Sequence, residues 1–169
     1  MNDYTNDKTE YLLVKLLTEN KLTIATCESC TGGLISKRIT NVPGASEVFG
    51  YGVCTYANEA KMKLLGVSAH TLEKYGAVSE QTAIEMACGM VNLSGADIAI
   101  STTGIAGPGG GTPEKPVGLV YTAYYTKNGD HGCTKLLLGD IKHTDREKSR
   151  FAASCEAMMQ AIEYIRSLK

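Results

Sequence analysis

The stretch LTIATCESCTGG, residues 22–33, decides the fold class. Its first half, Leu22 to Cys27, is short, apolar and rich in residues that favour β-structure, which predicts a buried strand. Its second half, Glu28 to Gly33, ends in two glycines that favour a turn, and a helix is predicted to follow as far as about Thr40. The stretch therefore predicts the strand, loop and helix unit of an α/β domain.

Outward from this unit, apolar periodicity, capping residues and turn signals divide the chain into further helices and strands. Helices are predicted over 8–19 and 145–168. Three more are predicted after Asn58, Ser68 and Ser79 as N-caps, and the third of these reaches about Leu93. Strands are predicted over 49–56, 97–103, 118–126 and 133–138, the last two joined at Asn128-Gly129. This order predicts a three-layer α/β/α sandwich with a central mixed β-sheet.

The bulk composition favours one domain over residues 1–169, with residues 1–7 as a flexible N-terminal tail. The chain has 169 residues, of which 43% are hydrophobic, enough for a single core. A formal net charge of -1 provides no global attraction to nucleic acid or to a membrane surface. No signal-peptide pattern and no apolar run of roughly 20 residues occurs, so we expect a soluble, cytoplasmic protein.

Six cysteines are scattered along the chain, which suits a reducing compartment. Cys27 and Cys30 form a C-x-x-C pair that leaves a redox function open as an alternative, although the surroundings typical of thioredoxins are missing. No second C-x-x-C and no Cys/His cluster is present in the sequence, so no metal site is predicted.

Three small-residue turns follow predicted strands directly, at residues 29–33, 56–61 and 102–111. Ligands of open α/β sheets collect where strand ends meet helix starts, because free backbone N–H groups and the helix dipole lie there. The sequence therefore predicts the site at these three turns. The phosphate-binding pattern G-x-x-x-x-G-K-[ST] and the dinucleotide pattern G-x-G-x-x-G are both missing, which disfavours ATPase and Rossmann functions.

Ser29 is the candidate nucleophile, because it follows a strand and precedes Gly32-Gly33, where backbone N–H groups can hold an oxyanion. The chain lacks a G-x-S-x-G elbow, and its histidines, His70, His131 and His143, are expected at the surface. Lys61 is then the candidate base, since it lies one helical turn beyond the second strand. Two alternatives remain open: Ser29 or Thr31 caps the next helix, and Lys61 is an ordinary solvated lysine.

The order and spacing of five segments resemble one family over nearly the whole chain from about residue 8. The segments are TCESCTGG at 26–33, YGVCTYANEAK at 51–61, GAVSE at 76–80, STTGIAGP at 101–108 and KPVG at 115–118. They resemble the C-terminal domain of the competence/damage-inducible protein CinA, which is also found alone as a nicotinamide-nucleotide amidase. The N-terminal domain of larger members has no counterpart in this sequence, so its activities are not carried over.

The resemblance implies hydrolysis of nicotinamide mononucleotide to nicotinate mononucleotide and ammonia by a serine and lysine pair, Ser29 and Lys61. Tyr56 falls in the family's active-site segment and is expected to take part in proton handling or positioning. The predicted substrate-binding residues are Cys30, Thr31, Gly32, Gly33, Thr103, Gly104, Gly107, Arg146 and Arg150. The resemblance also implies a small nucleotide substrate, no cofactor or metal, and a homo-oligomer. A non-catalytic nucleotide-binding module of the same fold is the main alternative.

The segment before the last helix departs from the family pattern Gly-Asp-Arg-x-x-x-Arg. Here Gly139-Asp140 is followed by four residues before Asp145-Arg146-x-x-x-Arg150. Arg146 and Arg150 keep the i, i+4 spacing that places them on one helix face, which suits a phosphate grip. Surface ion pairs with Glu147 or Glu156 are the alternative role for these arginines.

Overall fold

Residues 8–138 and 145–168 are described by a computed structural model, and these residues form five strands and six α-helices. The predicted tail at 1–7 and the segment at 139–144, which includes His143, lie outside the described residues. In chain order the elements are α1 Thr9–Asn20, β1 Ile24–Glu28, α2 Leu34–Thr40, β2 Phe49–Cys54, α3 Asn58–Leu65, α4 Ala69–Tyr75, α5 Glu80–Ser94, β3 Ile98–Gly104, β4 Leu119–Thr126, β5 His131–Leu137 and α6 Arg146–Ser167. The α/β class and the predicted element order are confirmed.

The sheet is mixed, with the strand order β2-β1-β3-β4-β5. Strand β1 pairs in parallel with β2 and with β3, whereas β3–β4 and β4–β5 are antiparallel. At the carboxyl end of β1, Glu28 is in register with Cys54 of β2 and with Thr102 of β3. Residues that follow β1 and β2, and those that end β3, are thereby brought to one edge of the sheet.

Side chains alternate across the sheet and pack against a helical layer on each face. Ile24 of β1 and Ile98 of β3 lie in the core beneath α1, α2 and α6, whereas Ala25 and Ala99 lie in the core beneath α5. Helices α3 and α4 lie on the second face through their contacts with α5. All of β1 and the first six residues of β3 are buried, because helices cover both faces of the sheet at these two strands.

Most boundaries fall within two residues of their predicted positions, and one predicted cap, Asn58, is wrong. Ala57 takes the N-cap position of α3, and Asn58 is already the first helical residue. Ser68 takes the N-cap position of α4 as predicted, but its side chain makes no capping bond. The Glu85 carboxylate instead accepts the Ser68 N–H at 2.8 Å. Ser79 does cap α5, since its hydroxyl oxygen accepts the Thr82 N–H at 3.2 Å.

Three strand ends differ from prediction for reasons visible in their hydrogen bonds. Strand β2 ends at Cys54 because the next two carbonyl oxygens, of Thr55 and Tyr56, accept from Lys61. Gly104, predicted to begin the glycine loop, still belongs to β3, where it pairs with Val120. Strand β5 begins two residues early, at His131, because the hairpin closes tightly, with the Thr126 N–H donating to the Asp130 carbonyl.

No helix within the described ranges is long and apolar enough to cross a bilayer.

Helix α3, which carries Lys61, approaches α5 at a glycine. A Cβ atom built on Gly89 would lie 1.8 Å from the carbonyl oxygen of Leu65, the last residue of α3. The two backbones therefore pack at a distance that only glycine allows.

We expect Gly89→Ala to destabilise the fold by about 2–4 kcal/mol, although alanine is the better helix former by about 1 kcal/mol. The added methyl group must push α3 away from α5, so activity that depends on Lys61 should fall as well. Urea unfolding measures the change, with Asn92→Ala on the exposed face of α5 as the control. A Gly89→Ala protein as stable as the wild type would contradict the described packing.

Candidate active site

Ser29 and Lys61 meet at the carboxyl edge of the sheet. Ser29 follows β1 directly, and Lys61 lies in the first half of α3. The Lys61 Nζ atom is 3.2 Å from the Ser29 Oγ atom. The Lys61 side chain is among the most buried large side chains of the protein, with 1% of its surface exposed, and Ser29 is 8% exposed. Lys61 is therefore not a solvated surface lysine.

Two backbone carbonyls hold the Lys61 amine in place. Its Nζ atom lies 2.7 Å from the Thr55 carbonyl oxygen and 3.1 Å from that of Tyr56. Carbonyl oxygens only accept, so each uses one N–H of the amine. The remaining position of the nitrogen faces Ser29, and in a neutral amine that position holds the lone pair. The arrangement suits a lysine that takes a proton from the serine hydroxyl.

Burial lowers the pKa of Lys61 below its usual range, and the nearby thiols of Cys30 and Cys27 oppose this shift only in part. Desolvation disfavours the ammonium form because charge is less well solvated away from water. The neutral form that can act as a base is thus favoured by the position of the residue in the fold.

The start of α2 is occupied by a carboxylate of the protein itself. Glu28 is fully buried, and its Oε2 atom accepts from the N–H groups of Gly33 and Ile35 at 3.0 and 3.1 Å. Gly33 takes the N-cap position, so neither Ser29 nor Thr31 caps this helix. The backbone N–H groups predicted to await a ligand here are in large part already used by Glu28.

The small-residue turn after β1 leaves two amides as candidate oxyanion donors. The Gly32 N–H donates to the Ser29 carbonyl at 3.1 Å, and the Gly33 N–H donates to Glu28. Both glycines have positive φ, 58° and 91°, which favours glycine at these positions. Of the four predicted amides, those of Cys30 and Thr31 therefore remain as candidates beside the Ser29 hydroxyl.

The two arginines of α6 reach different parts of the site. Arg150 donates through Nε to the Thr31 carbonyl at 3.1 Å and also through Nη2. Arg146 donates through Nη1 to the Gly107 carbonyl at 2.7 Å and through Nη2 to the Tyr56 hydroxyl at 3.1 Å. The arginines thus contact the turn that carries Ser29 and the glycine loop, and the exposed Arg146 keeps further N–H donors.

The remaining predicted site residues lie around this cluster with distinct contacts. Tyr56 reaches Lys61 through its backbone carbonyl, whereas its ring is 65% exposed and its hydroxyl contacts Arg146. The Thr103 hydroxyl donates to the Ala77 carbonyl at 2.7 Å and is buried. Gly104 packs against Val120 within the sheet, so only Gly107 of the two glycines presents a group, its carbonyl, to a site side chain.

The C-x-x-C thiols are buried and poorly ionised. Burial raises the pKa of Cys30 to about 11 and the pKa of Cys27 well above its usual range. Both cysteines are free thiols. Because the thiolate is the reactive form, this environment disfavours the redox alternative.

Sequence reasoning missed two parts of the site, the Glu28 carboxylate and the Thr55 carbonyl oxygen. Glu28 precedes Ser29 at a predicted helix start, and an acid at such a place is a recognisable signal for a helix-capping carboxylate. The Thr55 carbonyl carries no side-chain signal. Only the turn from β2 into α3 brings it to Lys61.

Comparison with known proteins identifies the family of the chain. The family profile described as CinA C-terminal domain matches residues 6–166. The chain belongs to the CinA C-terminal domain family. A CinA-like protein from Kosmotoga olearia is 54% identical over 157 residues, and one from Chlorobaculum tepidum is 50% identical over 153 residues.

Solved structures of CinA-type proteins share the whole fold. The competence/damage inducible protein CihA from Agrobacterium tumefaciens is 42% identical, with a TM-score of 0.88 over 96% of this chain and 98% of that one. A CinA superfamily protein from Escherichia coli is 33% identical, with a TM-score of 0.86 over 97% and 94% of the two chains. The matches to the Kosmotoga and Chlorobaculum relatives include 93% and 90% of this chain. The chain spans only 36% of the length of each of these relatives.

The lowered pKa of Lys61 predicts a pH-dependent stability difference between the wild type and Lys61→Met. Between the folded-state pKa and the unfolded value of about 10.4, the unfolded chain binds the extra proton, so wild-type stability rises with pH through this window. Lys61→Met lacks this dependence and should be the more stable protein at pH 7, by a margin that shrinks towards pH 10. Urea unfolding at several pH values measures the margin. A margin that is constant or grows with pH would contradict the shift.

Proposed function

We propose that this CinA-family domain is an amidohydrolase that hydrolyses the carboxamide of nicotinamide mononucleotide through a Ser29–Lys61 dyad. The observation that carries the proposal is the 3.2 Å approach of a buried lysine amine to a serine hydroxyl, with two carbonyl oxygens fixing the amine. A lysine with a lowered pKa next to a serine is an arrangement that activates the hydroxyl as a nucleophile. The choice of nucleotide follows the resemblance to nicotinamide-nucleotide amidases.

In the first half of the reaction, the Ser29 Oγ atom attacks the carboxamide carbon while its proton passes to neutral Lys61. The amides of Cys30 and Thr31 stabilise the oxyanion of the tetrahedral intermediate. Lys61 then returns the proton to the carboxamide nitrogen, the C–N bond breaks, and ammonia leaves an acyl-enzyme at Ser29.

In the second half, water attacks the acyl carbon and its proton passes to the same lysine. The bond between the acyl carbon and the Ser29 Oγ atom then breaks, and Lys61 protonates the departing oxygen. The nicotinate group leaves as a carboxylic acid that ionises in solvent, and the dyad is restored. Each proton leaves and returns through one nitrogen, so the cycle uses only groups of this chain and water.

Substrate recognition is proposed to rest on Arg146 and Tyr56. Arg146 is exposed and has N–H groups left after its bonds to Gly107 and Tyr56, so it is suited to the 5′-phosphate. The Tyr56 ring is 65% exposed at the same edge and can stack on the cationic pyridinium ring. Arg150 is instead held at the Thr31 carbonyl and supports the turn. A cytoplasmic location and assembly into a homo-oligomer remain predictions from the sequence.

The dyad is tested by ammonia release from nicotinamide mononucleotide. We expect the wild type to be active, Ser29→Ala to be inactive, and Lys61→Ala to lose about 10²–10⁴-fold in kcat because its general base is gone. Lys63→Ala is the matched control, since Lys63 lies on the same helix and is exposed. Wild-type binding of the nucleotide without ammonia release would favour the non-catalytic binding module, and a fully active Ser29→Ala would refute the nucleophile assignment.

The bound substrate should lower the pKa of Lys61 further, because the pyridinium ring is cationic and lies beside the carboxamide. The acidic limb of the kcat profile reports the pKa of Lys61 in the enzyme–substrate complex, whereas the limb of the kcat/KM profile reports its pKa in the free enzyme. We expect the limb for kcat at the lower pH. Steady-state rates across the pH range measure both limbs, and coincident limbs would remove the proposed substrate assistance.

A further inference from the structure

The Glu28 carboxylate holds both the turn that carries Ser29 and the helix behind it. It is fully buried and accepts from five donors, at distances of 2.7 to 3.1 Å. The donors are the Thr31 hydroxyl and the N–H groups of Gly33 and Ile35 on Oε2, and the N–H and hydroxyl of Ser36 on Oε1. All five donors lie within eight residues of Glu28 along the chain.

Because this carboxylate only accepts hydrogen bonds, it fixes which hydroxyl donates in two neighbouring hydroxyl–hydroxyl hydrogen bonds. Because Thr31 donates to Glu28, the hydroxyl of Thr102, 2.7 Å away, must donate to that of Thr31. Because Ser36 donates to Glu28, the hydroxyl of Thr26, also 2.7 Å away, must donate to that of Ser36. One carboxylate therefore orders hydroxyls from β1, β3, the turn and α2.

Thr31 is held from two sides. Its hydroxyl is bonded to Glu28, and its carbonyl oxygen accepts from Arg150 on α6. With both groups fixed, the peptide planes between Ser29 and Gly32 have little freedom to rotate. These planes carry the amides of Cys30 and Thr31, the candidate oxyanion donors.

We propose that Glu28 is a positioning residue, which sets the Ser29 hydroxyl and the neighbouring amides in their reactive geometry. The proposal rests on Ser29 being the nucleophile of the proposed function. The five donors to the Glu28 carboxylate include neither Ser29 nor Lys61, so the carboxylate acts through Thr31 and the start of α2. A small displacement of the turn is sufficient to reduce catalysis, because misplacement by about 1 Å lowers rates by about 10²-fold.

The test compares two glutamates that accept backbone N–H groups at helix starts. Glu28→Gln keeps the shape but, in either orientation of the amide, sets an NH₂ group against backbone N–H donors. Glu85→Gln makes the same change at the start of α4, where Glu85 accepts from Ser68 N–H and the Thr71 hydroxyl. We expect Glu28→Gln to lose about 10²-fold in kcat with KM unchanged, and Glu85→Gln to lose stability alone.

A second readout follows Ser29 itself and needs no substrate. A small alkyl fluorophosphonate forms a bond to the Ser29 Oγ atom with loss of fluoride, and intact-protein mass spectrometry gives the rate. The labelling rate should fall in Glu28→Gln by about the same factor as kcat, and Ser29→Ala should stay unlabelled. Because labelling reads the nucleophile directly, the role of Glu28 is decided even if nicotinamide mononucleotide is not the substrate.

Thr31→Val provides the same test in a milder form, should Glu28→Gln fail to fold. It removes the hydroxyl that links the carboxylate to the turn but leaves the four other Glu28 donors in place. A fall in labelling rate and kcat, at a melting temperature no lower than that of Glu85→Gln, supports the proposal. Rates for the folded Glu28→Gln or for Thr31→Val within about threefold of the Glu85→Gln control would overturn it.

Discussion

The burial of the Lys61 amine against the Ser29 hydroxyl is the constraint on which the rest of the site depends. An amine removed from water must find acceptors, and here two come from Thr55 and Tyr56, at the point where β2 turns into α3. Both carbonyls lie just beyond the end of β2, where their oxygens accept hydrogen bonds from the amine. The end of β2, the start of α3 and the position of the Lys61 amine are thus one structural feature.

The parallel pairing of β1 with β2 and β3 brings this feature to Ser29, the proposed nucleophile. Ser29 follows β1, and Glu28 before it is in register with Cys54 and Thr102 on the two neighbours. The close approach of α3 to α5 at Gly89 completes the positioning from outside the sheet. The proposed dyad is therefore positioned by two short turns, after β1 and after β2, that the sheet and the packing of α3 on α5 hold together.

The carboxylate of Glu28 changes how the edge of the sheet can bind an anion. Helix starts in α/β proteins commonly bind phosphate, but the start of α2 is already occupied by Glu28. The phosphate of the proposed substrate must then be held elsewhere, and the exposed Arg146 beside Tyr56 offers positive charge at the same edge. A cavity of about 290 Å³ between β5 and α6 lies at the opposite edge and contains none of these residues.

The sequence by itself determined the α/β class and the order of the elements, and it predicted Ser29 and Lys61 as the candidate pair. Each depends on local signals: apolar runs, glycine turns, and a hydroxyl and an amine placed just after strands. The tertiary structure decided that Lys61 is buried, that Glu28 rather than Ser29 or Thr31 holds the start of α2, and that Arg150 supports the turn while Arg146 faces the glycine loop. Burial and backbone hydrogen bonds depend on contacts between residues far apart in the chain, such as Thr31 and Arg150. No local pattern of residues encodes them.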